Sequence, residues 1–171
     1  MDRIAVDMDG VLANAYPQFI IEHEAEFGRK IAMSDIIGKA EFEAFPNGHR
    51  YCSSSGFFRN LNVIENSQEV LEKLNQKFDI YIVSSATEFP LSLAEKQSWL
   101  MEHFPFISWR QLVLCGSKRI VKADVMIDDH FKNLDYFEGK TYLFTQPHNQ
   151  LAESGRHQRV NSWREIERLL L

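Results

Sequence analysis

Two carboxylates stand two residues apart in the stretch DMDGVLA (7–13), directly after the apolar run RIAV (3–6). Neighbouring carboxylates repel, and burying either one is costly unless a cation compensates. Gly10 follows at once, and a glycine lets the backbone turn tightly around a bound anion. Similar groups end other apolar runs: Ser84 and Ser85 close DIYIVSS (79–85), Lys118 lies just past QLVLCG (111–116), and Asp128 and Asp129 close ADVMIDD (123–129). In an open parallel sheet, ligands bind at the carboxyl ends of the strands. Asp7, Asp9, Asp128 and Asp129 there can share one hard divalent cation, and all-oxygen ligands suit Mg²⁺. Ser84, Ser85 and Lys118 suit an anionic phosphoryl group. A carboxylate beside such a cation is a feasible nucleophile toward phosphorus, and Asp7, at the strand end, is the expected one. Asp9 is then placed to protonate the leaving oxygen and later to deprotonate the attacking water.

The elements that must hold these residues are legible as alternating runs. RIAVD, DIYIVSS, QLVLCG, ADVMIDD and KTYLFT (140–145) read as five strands. They are nearly continuous in apolar residues, as strands covered on both faces are. Between them lie helical patterns. NSQEVLEKLNQKF opens with Asn66 and has Glu69 three residues on, a capping-box spacing, with Val70, Leu71, Leu74 and Phe78 on one face. PLSLAEKQSWLMEHF starts on Pro90, with Leu93, Leu100 and Phe104 expected to face the sheet, and SWREIERLL repeats the capping-box spacing with Ser162 and Glu165. The pattern predicts an α/β fold, a doubly wound (Rossmann-like) parallel five-stranded sheet. About seventy residues separate the first two strands, too many for one crossover helix. Residues 1–14 and 64–171 are therefore expected to form the core, and 15–63 a small, mainly helical cap inserted after the first strand. In it YPQFIIEHEAEFG reads as a helix ending at Gly28. The cap aromatics Phe42, Phe45, Tyr51, Phe57 and Phe58 are candidates to line a substrate pocket; core packing is the alternative for each.

Composition narrows the class. The chain has 171 residues, 44% hydrophobic and 25% charged, with a net charge of −5 and no basic run beyond the short GRHQR (155–159), which reads as a solvated loop. Binding to a nucleic-acid polymer or an anionic membrane is not favoured. The two cysteines, Cys52 and Cys115, lie far apart in no ligand spacing, and the six histidines form no zinc pattern. With no signal-peptide segment and no run of membrane-spanning length, a cytoplasmic location with free thiols is expected. Lys96, His130, Trp99, Trp163, His148 and Asn149 read, respectively, as a solvated lysine, a solvated helix-start histidine, two packing residues and two structural loop residues.

Taken together, the strand-end residues resemble the haloacid dehalogenase superfamily. DMDGVLA is similar to its first motif, Ser84 to its second, Lys118 to its third, and IDD (127–129) to its fourth. Within it, DMDGVLA, SGFFRNL, IVSS, EKQSWL, VLCGSKRIVKADVMIDD, LFTQPHNQ and NSW resemble the 5′(3′)-deoxyribonucleotidases over nearly the whole chain. The resemblance implies Mg²⁺-dependent hydrolysis of nucleoside monophosphates, preferably deoxy and pyrimidine ones. Asp7 would be nucleophile, Asp9 acid/base, and Ser84 and Lys118 would bind the phosphate. Asp7, the Asp9 carbonyl and Asp129 would hold the metal, with Asp128 behind them. A homodimer is also implied, since the family is often dimeric. The chain departs from the family at Asn14, usually Asp, at Ala15, often Phe, and at SSA (84–86), which replaces TSP. Two other readings use the same residues: a small-metabolite phosphatase, for example of sugar phosphates, and a receiver-like phosphoacceptor module. Asp9 and the inserted cap argue against the second.

Overall fold

The computed structural model describes residues 2–171. The run RIAVD forms β1 (Arg3–Asp7), which becomes the middle of a sheet because its apolar side chains are covered on both faces. A two-residue strand, β2 (Ala13–Asn14), then leads out through α1 (Tyr16–Phe27), α2 (Glu41–Ala44) and α3 (Gly48–Cys52) and back to β3 (Asn62–Val63). There follow α4 (Ser67–Asn75), β4 (Asp79–Ser84), α5 (Pro90–His103), β5 (Leu112–Leu114), β6 (Val125–Asp128), α6 (Phe131–Leu134), β7 (Lys140–Phe144), β8 (Gln158–Val160) and α7 (Trp163–Leu170). The main sheet runs β5-β4-β1-β6-β7-β8, every neighbour parallel. β2 and β3 form a separate antiparallel ribbon, Ala13 opposite Val63 and Asn14 opposite Asn62, through which the chain leaves the sheet and returns.

The fold is the expected α/β parallel sheet, but with six strands, not five. The added strand is β8, whose Gln158 and Arg159 fall at the end of the segment read as a solvated loop. It has three residues, pairs only with β7, and buries only Val160, so an edge position leaves no apolar run to read. The helix starts also differ in detail. Asn66 does not cap α4 with its side chain; it sits in the left-handed region at φ 63°. Glu69 turns instead to Lys73 and Arg164, joining α4 to α7. Ser162 does cap α7, accepting from the Glu165 N–H, while Glu165 reaches the Asn161 N–H. Gly28 ends α1 at φ 64°, as its position suggested.

The core runs through both halves of the chain. Ile4, Val6, Met8, Leu12, Trp99 and Trp163 are among its fully buried members. Both tryptophans also carry a hydrogen bond from the indole N–H: Trp99 to the Leu61 carbonyl and Trp163 to the Val11 carbonyl, at 2.8 and 2.7 Å. They fix the loop after β1 and the return of the 15–63 segment to the sheet. Among the described residues, no helix is long and apolar enough to cross a membrane.

Candidate active site

The strand order dictates which polar residues meet. β1 lies between β4 and β6, so Asp7, Ser84 and Asp128, each ending its strand, stand side by side at one edge. Lys118, in a single 3₁₀ turn after β5, reaches across to them. Its ammonium lies 2.6 Å from Asp7 Oδ1 and 2.6 Å from Asp128 Oδ2, with a side chain 2% exposed. Asp128 is otherwise fully engaged: its oxygens accept from the His130 N–H and from the Asn133 amide. Asp129 is different. Its Oδ1 is buried with no partner, while its backbone carbonyl accepts from His148 and Asn149.

Asp9 lies in a second cationic setting. Its Oδ2 accepts from the ammonium of Lys96, which also donates to Ser84 Oγ at 2.8 Å and lies 4.3 Å from the centre of the Phe58 ring. The other oxygen, Asp9 Oδ1, is buried and unpartnered. Gly10 carries the chain past this point at φ 79°, and a Cβ there would overlap the Asp129 carboxylate. Its carbonyl is held by the Gln146 amide at 2.6 Å.

The charges do not balance internally. Asp7, Asp128 and Asp129 are all buried; Asp7 and Asp128 share one ammonium, Lys118, while Asp129 lies nearer His130 and His148. Burial pushes the Asp7 carboxyl well above the usual range; Lys118 opposes this, and Asp128, Asp129 and Asp9 reinforce it. Burial likewise drives Asp129 up to about 7, against the pull of His130 and with the push of Asp128 and Glu41. Asp128 stays low despite its burial because Lys118 and Asn133 hold its charge. Ionising all three carboxylates together therefore calls for positive charge beyond the single Lys118 ammonium that Asp7 and Asp128 share. Ligand oxygens of Asp7, Asp128 and Asp129 lie within 4.8 Å of one another, and the buried Oδ1 of Asp129 has no hydrogen-bond partner. The residues present therefore fit a hard divalent ion.

All of this opens onto one cavity of about 270 Å³. Asp7, Asp9, Gly10, Ser84, Ser85, Lys96, Lys118 and Asp129 form its polar floor. Tyr16, Phe19, Phe42, Phe57, Phe58 and Phe89 form an aromatic wall. The structure thus places Phe42, Phe57 and Phe58 on the cavity. Phe45 and Tyr51 lie elsewhere: Phe45 is fully buried and stacked on Phe19 at 5.1 Å, and the Tyr51 hydroxyl donates to Glu26.

Two residues at the cavity depart from what the sequence pattern suggests. Lys96 is 2% exposed rather than solvated. The available signal was its spacing: Ser92, Lys96 and Trp99 share the buried stripe of α5. His130 is not a free surface histidine either. Its ring stacks on His148 at 4.3 Å and its Nε2 lies 3.2 Å from Glu41. Burial alone would lower its pKa; Asp129 and Glu41 outweigh that and push it up to about 10. Asn149 does take the structural role expected, tying the Asp129 and Phe144 carbonyls together.

Residues 2–171 match the family model described as 5′ nucleotidase, deoxy (Pyrimidine), cytosolic type C protein. The chain belongs to this family. It is accordingly an enzyme, a phosphoric monoester hydrolase. It is 43% identical over 171 residues to the 5′(3′)-deoxyribonucleotidase of Bacillus subtilis (strain 168), with 98% of each chain covered. The 5′(3′)-deoxyribonucleotidase of Bacillus phage SPbeta matches with the same identity and coverage. Among solved structures, a haloacid dehalogenase-like family hydrolase from Streptococcus pneumoniae superposes with a TM-score of 0.67 at 11% identity, covering 100% of this chain and 99% of that one. This last likeness concerns the fold.

Proposed function

We propose that the chain hydrolyses deoxynucleoside 5′(3′)-monophosphates, pyrimidine ones in preference, to nucleoside and phosphate, with Mg²⁺ and through an aspartyl-phosphate on Asp7. One observation carries the chemistry: Asp7 and Asp9 share a cavity floor, yet they are paired with different buried ammonium groups, Asp7 with Lys118, which also holds Asp128, and Asp9 with Lys96. That separates their tasks. The names of the Bacillus relatives support the substrate class.

Asp7, Asp129 and the Asp9 carbonyl would hold the cation, with Asp128 keeping Lys118 and the neighbouring loop in place. When bound, the cation would supply positive charge to the phosphoryl oxygens and keep the buried carboxylates ionised. Asp7 then attacks phosphorus, and the bond from phosphorus to the nucleoside oxygen breaks. Asp9 gives that oxygen its proton. Asp9, now a carboxylate beside Lys96, takes a proton from water, which attacks the phosphorus of the aspartyl-phosphate. Phosphate leaves, and Asp7 and Asp9 return to their starting states. Ser84 and Ser85 donate to the phosphoryl oxygens, and Lys118 offsets the charge that develops on them.

In this reading 15–63 act as a cap over the core of 1–14 and 64–171, and Phe42, Phe57, Phe58 and Phe89 offer the base an aromatic wall. The buried free thiols of Cys52 and Cys115 agree with the reducing cytoplasm. The homodimer rests on the family resemblance. The test is phosphate release from dUMP, dTMP, UMP, dAMP and glucose 6-phosphate, with Mg²⁺ and with EDTA. Fast release from dUMP or dTMP that needs Mg²⁺ is expected, with Asp7→Asn slower by ~10³-fold or more. Equal rates on glucose 6-phosphate and dUMP would refute the substrate class. An Asp7→Asn variant with wild-type turnover would refute the nucleophile.

A further inference from the structure

The aromatic wall of the cavity has a support that the proposed reaction does not use. Phe57 and Phe58 line the cavity and pack edge to face, ring centres 5.0 Å apart. Phe57 also lies 4.8 Å from Phe19, and Phe58 6.0 Å from Phe89. Both sit in the stretch SGFFRNL (55–61). Its regular structure is one 3₁₀ turn, Phe58–Asn60, entered through Gly56 at φ 91°. A single turn is too short to hold its own conformation.

α5 supplies the hold. Glu95, Trp99 and Glu102 stand at i, i+4 and i+7 on it, and so share one face of the helix. Trp99 bonds the Leu61 carbonyl, and Glu102 accepts from the Arg59 guanidinium. Glu95 makes the most bonds. Its Oε1 accepts from the Gly56 N–H at 2.6 Å, and its Oε2 from the N–H groups of Phe58 and Arg59 at 3.1 and 3.2 Å. Backbone donors converging in a turn form an anion nest, filled here from within the chain. Bonds to a charged acceptor are roughly twice as strong as neutral ones, and these lie on both sides of Phe57. Glu95 itself is not on the cavity surface, so it reaches a substrate only through the turn.

We propose that Glu95 is a positioning residue for the nucleoside half of the substrate: it fixes the 56–59 backbone so that Phe57 and Phe58 present an aromatic face to the base. This rests on the nucleotidase reading. Stacking on the base is equal in the ground state and the transition state, so a fixed wall lowers KM and leaves kcat alone. A phosphate ester without a base gains nothing from it.

Steady-state kinetics of the full chain on dUMP and on 2-deoxyribose 5-phosphate, the same phosphorylated sugar without its base, test this in saturating Mg²⁺. Glu95→Gln turns one acceptor oxygen into an amide NH₂ that faces a backbone N–H. Stacking of a base on an aromatic side chain is worth ~5–150-fold in affinity. Glu95→Gln should therefore raise KM for dUMP ~5-fold or more, with kcat unchanged and both constants for 2-deoxyribose 5-phosphate unchanged, while far-UV circular dichroism stays that of wild type. Glu95→Asp keeps the charge on a side chain one methylene shorter and serves if Glu95→Gln fails to fold; it should show the same split in smaller measure. Wild type that treats the two esters alike would refute base binding itself, and the role of Glu95 with it. Wild type that prefers dUMP, with folded variants that lose on both esters equally or on neither, would overturn the role of Glu95 and leave the nucleotidase reading standing.

Discussion

Lys118 is where the charge balance of the site can be broken most cleanly. Its ammonium serves Asp7 and Asp128 at 2.6 Å each, from a side chain 2% exposed. Methionine is of similar length and carries no charge. Removing one partner from a buried ion cluster costs ~3–5 kcal/mol, since the remaining charges are left uncompensated. A chain of 150–250 residues loses ~2–4 °C of melting temperature per kcal/mol, so metal-free Lys118→Met should melt ~6–20 °C below wild type near pH 8. The deficit depends on pH with a definite sign. Burial already holds the Asp7 carboxyl well above its usual range, with Lys118 opposing; without Lys118 it rises further. A carboxyl raised in the folded state contributes stability at low pH and loses it as pH climbs through the folded value. The variant therefore suffers most at high pH, and its gap to wild type should narrow from pH 8 towards pH 5. Mg²⁺ should narrow it at pH 8 as well, by restoring positive charge. Turnover should stay ~10²–10³-fold down even then, because the lysine's proposed role towards the phosphoryl oxygens is not replaced. Thermal melts at pH 5 and 8, with and without Mg²⁺, together with phosphate release from dUMP, make the measurement. A gap below ~1 kcal/mol, or one constant across that pH range, would refute the charge-deficit argument.

Three more outcomes follow from the same geometry. Asp129, pushed up to about 7 chiefly by burial, must release a proton to bind metal below that pH. The half-saturating Mg²⁺ concentration, read by calorimetry, should therefore rise at least ~10-fold per pH unit below pH 6.5, and more steeply where Asp7 must lose a proton too; a flat profile would contradict it. Gly10→Ala forces a side chain into φ 79° and onto the Asp129 carboxylate. Strain of ~1–2 kcal/mol and overpacking of ~1–3 kcal/mol should lower the melting temperature. Displacing Asp129 should also weaken Mg²⁺ binding ~10-fold or more; an unchanged Mg²⁺ titration would show that the contact is slack. Lys96→Met removes the charged partner of Asp9 and Ser84. At ~1.5–3 kcal/mol for hydrogen bonds to charged groups, kcat on dUMP should fall ~10–150-fold, and a variant within twofold of wild type would make Lys96 a packing residue.

What could be read from sequence follows from where each residue's position is set. Asp7, Ser84 and Asp128 end apolar runs, and a run of buried strand residues locates its own end, so their convergence follows once the strands are parallel. β8 has no such run: one buried valine beside Gln158 and Arg159 is indistinguishable from a loop until β7 lies alongside. The aromatics of 15–63 pose the opposite problem. Phe42 and Phe45 are three residues apart, yet one lines the cavity and the other stacks on Phe19. Neither α2 nor α3 exceeds five residues, too short for a periodic face, so their direction is settled by tertiary contact alone. Asn66 fails as a cap for a related reason: the turn that brings the chain from Ile64 into α4 takes it into a left-handed conformation, and Ser67 bonds the Ile64 carbonyl instead.

α5 shows why the two halves of the cavity need not be treated as independent. Glu95 accepts from the backbone N–H groups of Gly56, Phe58 and Arg59, at 2.6, 3.1 and 3.2 Å. The next residue, Lys96, grips Asp9 and Ser84, and one turn later Trp99 bonds the Leu61 carbonyl. Adjacent side chains of one helix thus hold the aromatic turn and the acid/base carboxylate. Phe58 closes the link from the other side, its ring lying against the Lys96 ammonium. A helix is stiff over such a span, because its backbone hydrogen bonds are internal. The turn that carries Phe57 and Phe58 and the carboxylate of Asp9 are thus held by neighbouring side chains of one helix.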